Sequence, residues 1–261
     1  MKNVKAARGF FSLCLAIVFT LCAPAFGADH EFRGRVEPVD FTTRILAYYV
    51  EEFSPEELIL SINGPPDANG SYRDIYMNLT GVMIGGVRVD KLVFRMNYAQ
   101  FEIHPDGEVE CLSVVAIYAR CLVREDDINR KLAEETFGRD DRWENIHMRI
   151  SPSGLRARGN YIARILFIPL NISIEIESGL RIVAHRELWL NDYTLRVNAL
   201  DVPDYITSSA IRQIQPLLDL GRFPLPLSLH SVEFQEGQAA FSTRIPPEPM
   251  RGGITYRYRA E

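Results

Sequence analysis

From Ile165 to Ser178 the chain alternates with a period of two. Ile168, Leu170, Ile172, Ile174 and Ile176 are apolar, whereas Pro169, Asn171, Ser173, Glu175 and Glu177 present a wet side. The pattern predicts a strand with one dry and one solvated face. Further strands are predicted over 57–63, 71–83, 87–103, 109–123, 144–151, 154–163, 180–189, 225–235 and 238–245. They are parted by turn formers such as Gly64-Pro65-Pro66, Gly85-Gly86, Pro105-Asp106-Gly107, Glu177-Ser178-Gly179 and Gln235-Glu236-Gly237. In 87–103 the apolar parity slips near Asp90-Lys91, where a bulge would bend the sheet, and it slips again between Leu229 and Val232.

Three segments switch to helical spacing. Asp40 caps a helix running to Phe53, with Phe41, Ile45, Leu46, Tyr49, Val50 and Phe53 on one half of its circle. Residues 125–136 place Ile128, Leu132 and Phe137 on one side of a charged helix. Pro203 opens a third, which gathers Val202, Ile206, Ala210, Ile211, Ile214, Leu217 and Leu218 before Pro216 breaks it. The order helix, four strands, helix, four strands, helix, two strands predicts an α+β fold. Long bulged strands beside wide-faced helices suit a strongly curved, mostly antiparallel sheet wrapped around amphipathic helices.

The ends of the chain read differently from its body. Lys2, Lys5 and Arg8 precede an apolar run from Phe10 to Cys22, small residues Ala25 and Gly27 follow, and nothing acidic precedes Asp29. This is the plan of a cleavable export signal over 1–27, cut after Gly27 or alternatively after Ala25. The run of about 13 residues falls short of the roughly 20 that a membrane anchor needs. A single domain is expected over 28–245 and a loose, proline-rich tail over 246–261.

Charge and cysteine content narrow the function. The whole chain has 29 basic and 34 acidic residues. Losing the three basic residues of the signal brings the net charge to about −8, which argues against a nucleic-acid partner. Only Cys111 and Cys121 then remain in an oxidising compartment. On one continuous strand they stand roughly 33 Å apart, too far for a disulfide, so free thiols are expected.

No enzyme motif is found: the chain lacks a Gly-rich phosphate loop, HExxH, a nucleophile elbow and paired CxxC. His30, His104, His147, His185 and His230 each stand alone, and a triad of His185 with Asp192 or Asp201 and Ser209 has no support in spacing. The acidic set Glu125, Asp126, Asp127, Glu134, Glu135, Asp140 and Asp141 lacks the spacing of a calcium loop and reads as a solvated helix face. No metal, cofactor or catalytic residue is assigned. The apolar faces of 168–176 and 225–229 fit either an ordinary core or a ligand surface, and periodicity alone favours the core.

The stretch RFPLPLSLHSVEFQEGQAAF, Arg222 to Phe241, resembles the closing hairpin of the LmeA-like phospholipid-binding family of bacterial cell-envelope proteins. The helix around EDDINRKLAEE, the strand pair from Ile165 to Leu190 and the helix with Pro203 ending in LLDLGRFPLPL follow that family's order. The resemblance therefore spans most of the chain from about Val36. It implies a tubular lipid-binding-like fold that leaves an apolar groove for acyl chains, and a non-enzymatic protein that binds phospholipid in the envelope, in the periplasm or otherwise outside the cytoplasm. Under that implication the acyl chains lie among Ile168, Leu170, Ile172, Ile174, Ile206, Ile214, Leu225 and Leu227. Transient contact with a membrane follows; no protein partner is implied. The family's usual pattern is not kept in the acidic 124–144 segment or the tail. The contrasting readings are an envelope adaptor with a closed core and no ligand, and a hydrolase on an unfamiliar scaffold.

Exported material should begin at Ala28, and peptide mass analysis of its N-terminus checks this. Intact Met1 to Gly27 on a membrane-bound product would count against it.

Overall fold

The computed structural model describes residues 29–134, 143–165, 168–212, 214–223 and 225–261; the side chains of 163–165, 168, 169, 210 and 222 are also outside the description. Its strands form two open sheets rather than one.

The first sheet contains β1 (Asp29–Arg33), β2 (Glu57–Ile62), β3 (Ser71–Ile84), β4 (Val87–Ile103), β5 (Val109–Arg124), β12 (Ser231–Gln235), β13 (Gln238–Ser242) and β14 (Ile254–Arg259). Their order is β1-β14-β2-β3-β4-β5-β13-β12, antiparallel except that β1 runs parallel to β14. Helix α1 (Phe41–Phe53) lies on its inner face, and the Asp40 cap is present: its carboxylate accepts from Thr43 N at 2.7 Å while Thr43 Oγ1 accepts from Asp40 N at 2.9 Å. Ile45, Leu46, Tyr49 and Phe53 of α1 interleave with Leu58, Leu60, Ile75, Met77, Leu79, Phe94 and Met96, all buried, which makes this the main core.

The parity slip near Asp90-Lys91 is present, since Val89 and Leu92 are both buried. It needs no bulge in register, because β3 slips with it at Gly81, which holds a φ of 64°. The register shift in β4 falls instead between Gln100 and Phe101.

The loose tail is corrected. Residues 244–253 cross from β13 to β14 at the other side of the sheet, and Arg95 donates to the Glu248 carbonyl at 3.2 Å. Arg95 and Tyr76 have the opposite parity to the core residues of β3 and β4, so this strap runs over the outer face. Pro247 and Pro249 cover a cavity of about 340 Å³ there, beside Tyr76, Lys91 and Arg120. Ile254, Tyr256 and Tyr258 then alternate inward as β14.

The second sheet has the order β10-β9-β8-β7-β6, from β6 (Trp143–Ser151), β7 (Gly154–Ile165), β8 (Ile168–Val183), β9 (Glu187–Val197) and β10 (Leu200–Asp201), with β11 (Leu218–Asp219) paired to β9. Gly179 lies inside β8 and makes no turn. The chain reverses at Ala184-His185, whose φ values of 49° and 58° and the Arg186 N→Val183 O bond define a type I′ turn. Helix α3 (Asp204–Ile211) ends before Ile214 and Pro216, shorter than its apolar spacing suggests. Residues 225–230 form no strand, Leu227 N donating back to Leu225 O and Leu229 N to His185 O, so only 231–235 of the predicted closing strand joins a ladder.

Helix α2 (Glu125–Glu134) joins the sheets; residues 135 and 136 of its predicted span are outside the description. Toward the first sheet, Asp127 is buried and meets Arg88 at 3.0 Å and Arg130 at 3.2 Å, while Arg88 also grips Glu56 at 2.8 Å. Toward the second, Asn129 accepts from Met148 N at 2.7 Å and donates to Met148 O at 2.8 Å, and Glu125 accepts from Ile150 N at 2.6 Å. The reading of this segment as a solvated face is thereby corrected for Glu125 and Asp127; Glu135, Asp140 and Asp141 lie outside the described residues.

Asn129→Ala removes both bonds to the Met148 peptide and should destabilise the protein by about 1–3 kcal/mol. Denaturant titration with Asn129→Asp, which keeps only the acceptor, checks it: the Asp variant should lie between Ala and the parent.

Candidate functional site

Cross-strand register defines the two faces of the second sheet. Ile172 stands opposite Tyr161, Ile174 opposite Gly159 and Val197, and Ile176 opposite Ala157 and Leu195. The bulge of β9 at Asp192, φ 50°, keeps Leu188 and Leu190 on the same side as Tyr193, Leu195 and Val197. A continuous apolar face results. Gly159 lets a neighbour fold over it: a Cβ there would stand 3.1 Å from Ile146 Cγ1, and Trp143 is 3.6 Å away. Trp143 packs edge-on against Tyr161 at 5.2 Å.

The reverse face carries charge in pairs. Arg158 meets Glu175 at 2.8 Å, Arg196 meets Glu175 at 3.4 Å, Glu177 at 3.7 Å and Asp201 at 3.0 Å, and Arg156 pairs with Glu177. The Arg158 guanidinium holds the Glu175 carboxyl below its usual range.

Segment β10-α3-β11 runs along the free edge of β9. Val202 N donates to Leu195 O, the Gln215 amide to Leu190 O and Leu217 N to Leu188 O. The Tyr193 hydroxyl, from the apolar face, donates to Ser208 Oγ at 3.3 Å, which places α3 as a wall beside that face. Thr207 and Ile211 are the buried side of α3.

The anticipated site residues separate into groups. Ile172 and Ile174 are half-buried on the apolar face, and Leu170, at 41 % exposure, is more open still. Ile168 falls on β8, but its side chain lies outside the described residues. Ile206 and Ile214 are exposed along the flanking segment, 45 % and 50 %. Leu225 and Leu227 are not brought to this face. They pack into the first sheet's core, next to Phe223, whose ring lies 5.7 Å from Phe53 and 6.0 Å from Phe94. Residues overlooked in the sequence are Tyr161, Tyr193, Leu195, Val197 and Leu200. The alternation Tyr193-Leu195-Val197 was the available signal, hidden by the parity change at Asp192.

The drawn triad is not assembled: the His185 ring faces Leu229 O at 3.3 Å, Asp192 accepts from the Asn191 amide at 2.6 Å, and Asp201 serves Arg196. His30 stacks on Tyr256 and His104 pairs with Glu110, which raises the His104 pKa.

The second sheet thus has one apolar, partly open face with a helix along its edge, and one face lined by ion pairs. The chain belongs to the LmeA-like phospholipid-binding family, whose model matches residues 50–243. No curated protein and no solved structure matches it.

Cys111 and Cys121 are free thiols on continuous β5. Burial pushes Cys121 up to about 12 and raises Cys111 less. Without reductant, iodoacetamide near pH 8 should label Cys111 first in the native protein, and both after denaturation; mass analysis checks the order.

Proposed function

We propose that the protein is exported and binds phospholipid outside the cytoplasm, holding acyl chains against the apolar face of the second sheet for carriage or sensing. In this reading no reaction is catalysed, and the two sheets with their helices act as a tubular lipid-binding-like container. The observation that carries it is the contrast between the two sides of β8. Ile172 and Ile174 are left half-buried with Leu170 open beside them, whereas the opposite face carries solvated ion pairs such as Arg158 with Glu175. The family's phospholipid-binding character supports the ligand class. At about 0.8 kcal/mol per methylene, a fully buried 16-carbon chain is worth on the order of 12 kcal/mol gross, enough to compete with a bilayer. Leu170, Ile172, Ile174, Ile206 and Ile214 remain the proposed contacts. Leu225 and Leu227 act by shaping the neighbouring core. The partner is phospholipid or another acyl lipid, met through transient contact with a membrane; nucleic acid is no partner.

Ile172→Glu decides between this reading and a closed-core adaptor. On an open face the carboxylate reaches water, so the variant should fold with a modest stability loss and emerge depleted of lipid in native mass spectrometry. Ile172→Ala should cost less than the about 2–5 kcal/mol of a closed core, and Ser173→Glu on the wet face should leave lipid content unchanged. Aggregation of Ile172→Glu, together with a several-kcal/mol loss in Ile172→Ala and unaltered lipid, would make the adaptor the better account.

A further inference from the structure

Among the described residues no three His, Cys, Asp or Glu side chains gather to hold a metal ion. Backbone nitrogens can supply the donors that side chains do not. Removal of residues 1–27 would leave Ala28-Asp29-His30 as the first three residues of the chain, Ala28 itself lying outside the described residues. Asp29 and His30 open β1, the outermost strand of the first sheet, and both are exposed. Gly34 N donates to Arg259 O of β14, so by the two-residue alternation of a strand His30 turns its peptide groups toward β14 and Asp29 turns its own to the open edge. The His30 ring stacks on Tyr256, with 4.6 Å between centroids and 15° between planes.

We propose that the mature N-terminus is a Cu(II) site whose donors are the Ala28 α-amino nitrogen, the amide nitrogens of Asp29 and His30, and His30 Nδ1. The proposal rests on the export reading and its cut after Gly27, and is independent of the lipid-binding one. With a histidine third from a free α-amino group, these nitrogens close five- and six-membered chelate rings around a single ion and fall in one plane. Nitrogen donors in a square plane suit Cu(II), with Ni(II) the other divalent ion of that geometry, and Cu(II) heads the affinity order for such donors. On binding, the ion replaces one proton of the α-ammonium group and one from each of the two amides; no electron is transferred. The oxidising surroundings expected of an exported protein favour the divalent ion over Cu(I). The structure shows what must yield. Capture draws the His30 amide from its place facing β14 and the ring from Tyr256, whereas the Asp29 amide already faces the open edge. Phe32, packed against the main core, holds the rest of β1.

The test takes exported protein, reads its N-terminal mass, and titrates it with Cu(II) in a buffer that does not chelate. Protein that begins at Ala28 should bind one equivalent and develop the visible d–d band and nitrogen hyperfine splitting of a square-planar complex with nitrogen donors alone. His30→Ala should abolish both. Asp29→Pro is the sharper variant, because it keeps His30 but lacks the amide proton that the ion must replace, and proline is tolerated at the first residue of an edge strand. It should fold as the parent does and lose the band. With Ni(II), the diamagnetic complex should shift the Tyr256 ring resonances of the parent and leave those of Asp29→Pro in place. A mature N-terminus other than Ala28 overturns the site together with the cleavage reading. An Ala28 N-terminus that gives no such band, or a band that Asp29→Pro retains, overturns the site while the cleavage reading stands.

Discussion

A sheet edge exposes a row of N–H and C=O groups that must find water or a partner. At β6 the partner is α2. Asn129 presents an amide to the Met148 peptide as a neighbouring strand would, and Glu125, one turn earlier, takes Ile150 N. Gly237, in the turn between β12 and β13, donates to Ile150 O and accepts from Glu125 N, so the first sheet contributes to the same junction. On the opposite side of the helix Asp127 is tied to Arg88 of β4. The placement of the second sheet, and with it the apolar face, depends on this seam. A buried carboxylate alone would be costly there; Arg88 and Arg130 together compensate it.

The two sheets resolve their apolar sides differently. In the first, α1 and the segment from Phe223 cover the inner face until Phe94, Ile75 and Leu60 have no contact with water. In the second, α3 sits toward the edge and leaves the β8 face half covered. The sheet is held by its ladders and by cross-strand pairs around Glu175, where two arginines converge. Such exposed pairs contribute little stability singly. Their value is register, because a one-residue slip would carry the isoleucines to the charged side.

What could be read from the chain followed from how local the cause was. The Asp40 cap and the face of α1 depend on residues within a few positions, and the alternation of β8 is explicit in its own sequence. Glu177-Ser178-Gly179 has turn composition yet continues as strand, whereas the actual reversal uses Ala184-His185, residues that do not advertise a positive φ. Leu225, Leu227 and Leu229 alternate like a strand, but Pro224 and Pro226 remove donors, and Leu225 and Leu227 enter the core outside any ladder. Within the candidate site, the common face of Leu170, Ile172 and Ile174 was legible from their alternation. The β9 residues were not, because the bulge at Asp192 inverts their parity, and the separation of Leu225 from β8 is a matter of tertiary placement.

The strap over the outer face has a bearing on how the molecule comes into being. It delivers β14 to a slot between β1 and β2, so Asp29–Arg33 pairs with Thr255–Arg259, residues made more than two hundred positions later. A ribosome or translocon releases the chain from its N-terminal end. Among the described residues the earliest strand therefore waits without a neighbour until the last has emerged, and completion of this sheet's edge is a late, post-synthetic event that a chain cut short before Ile254 never reaches.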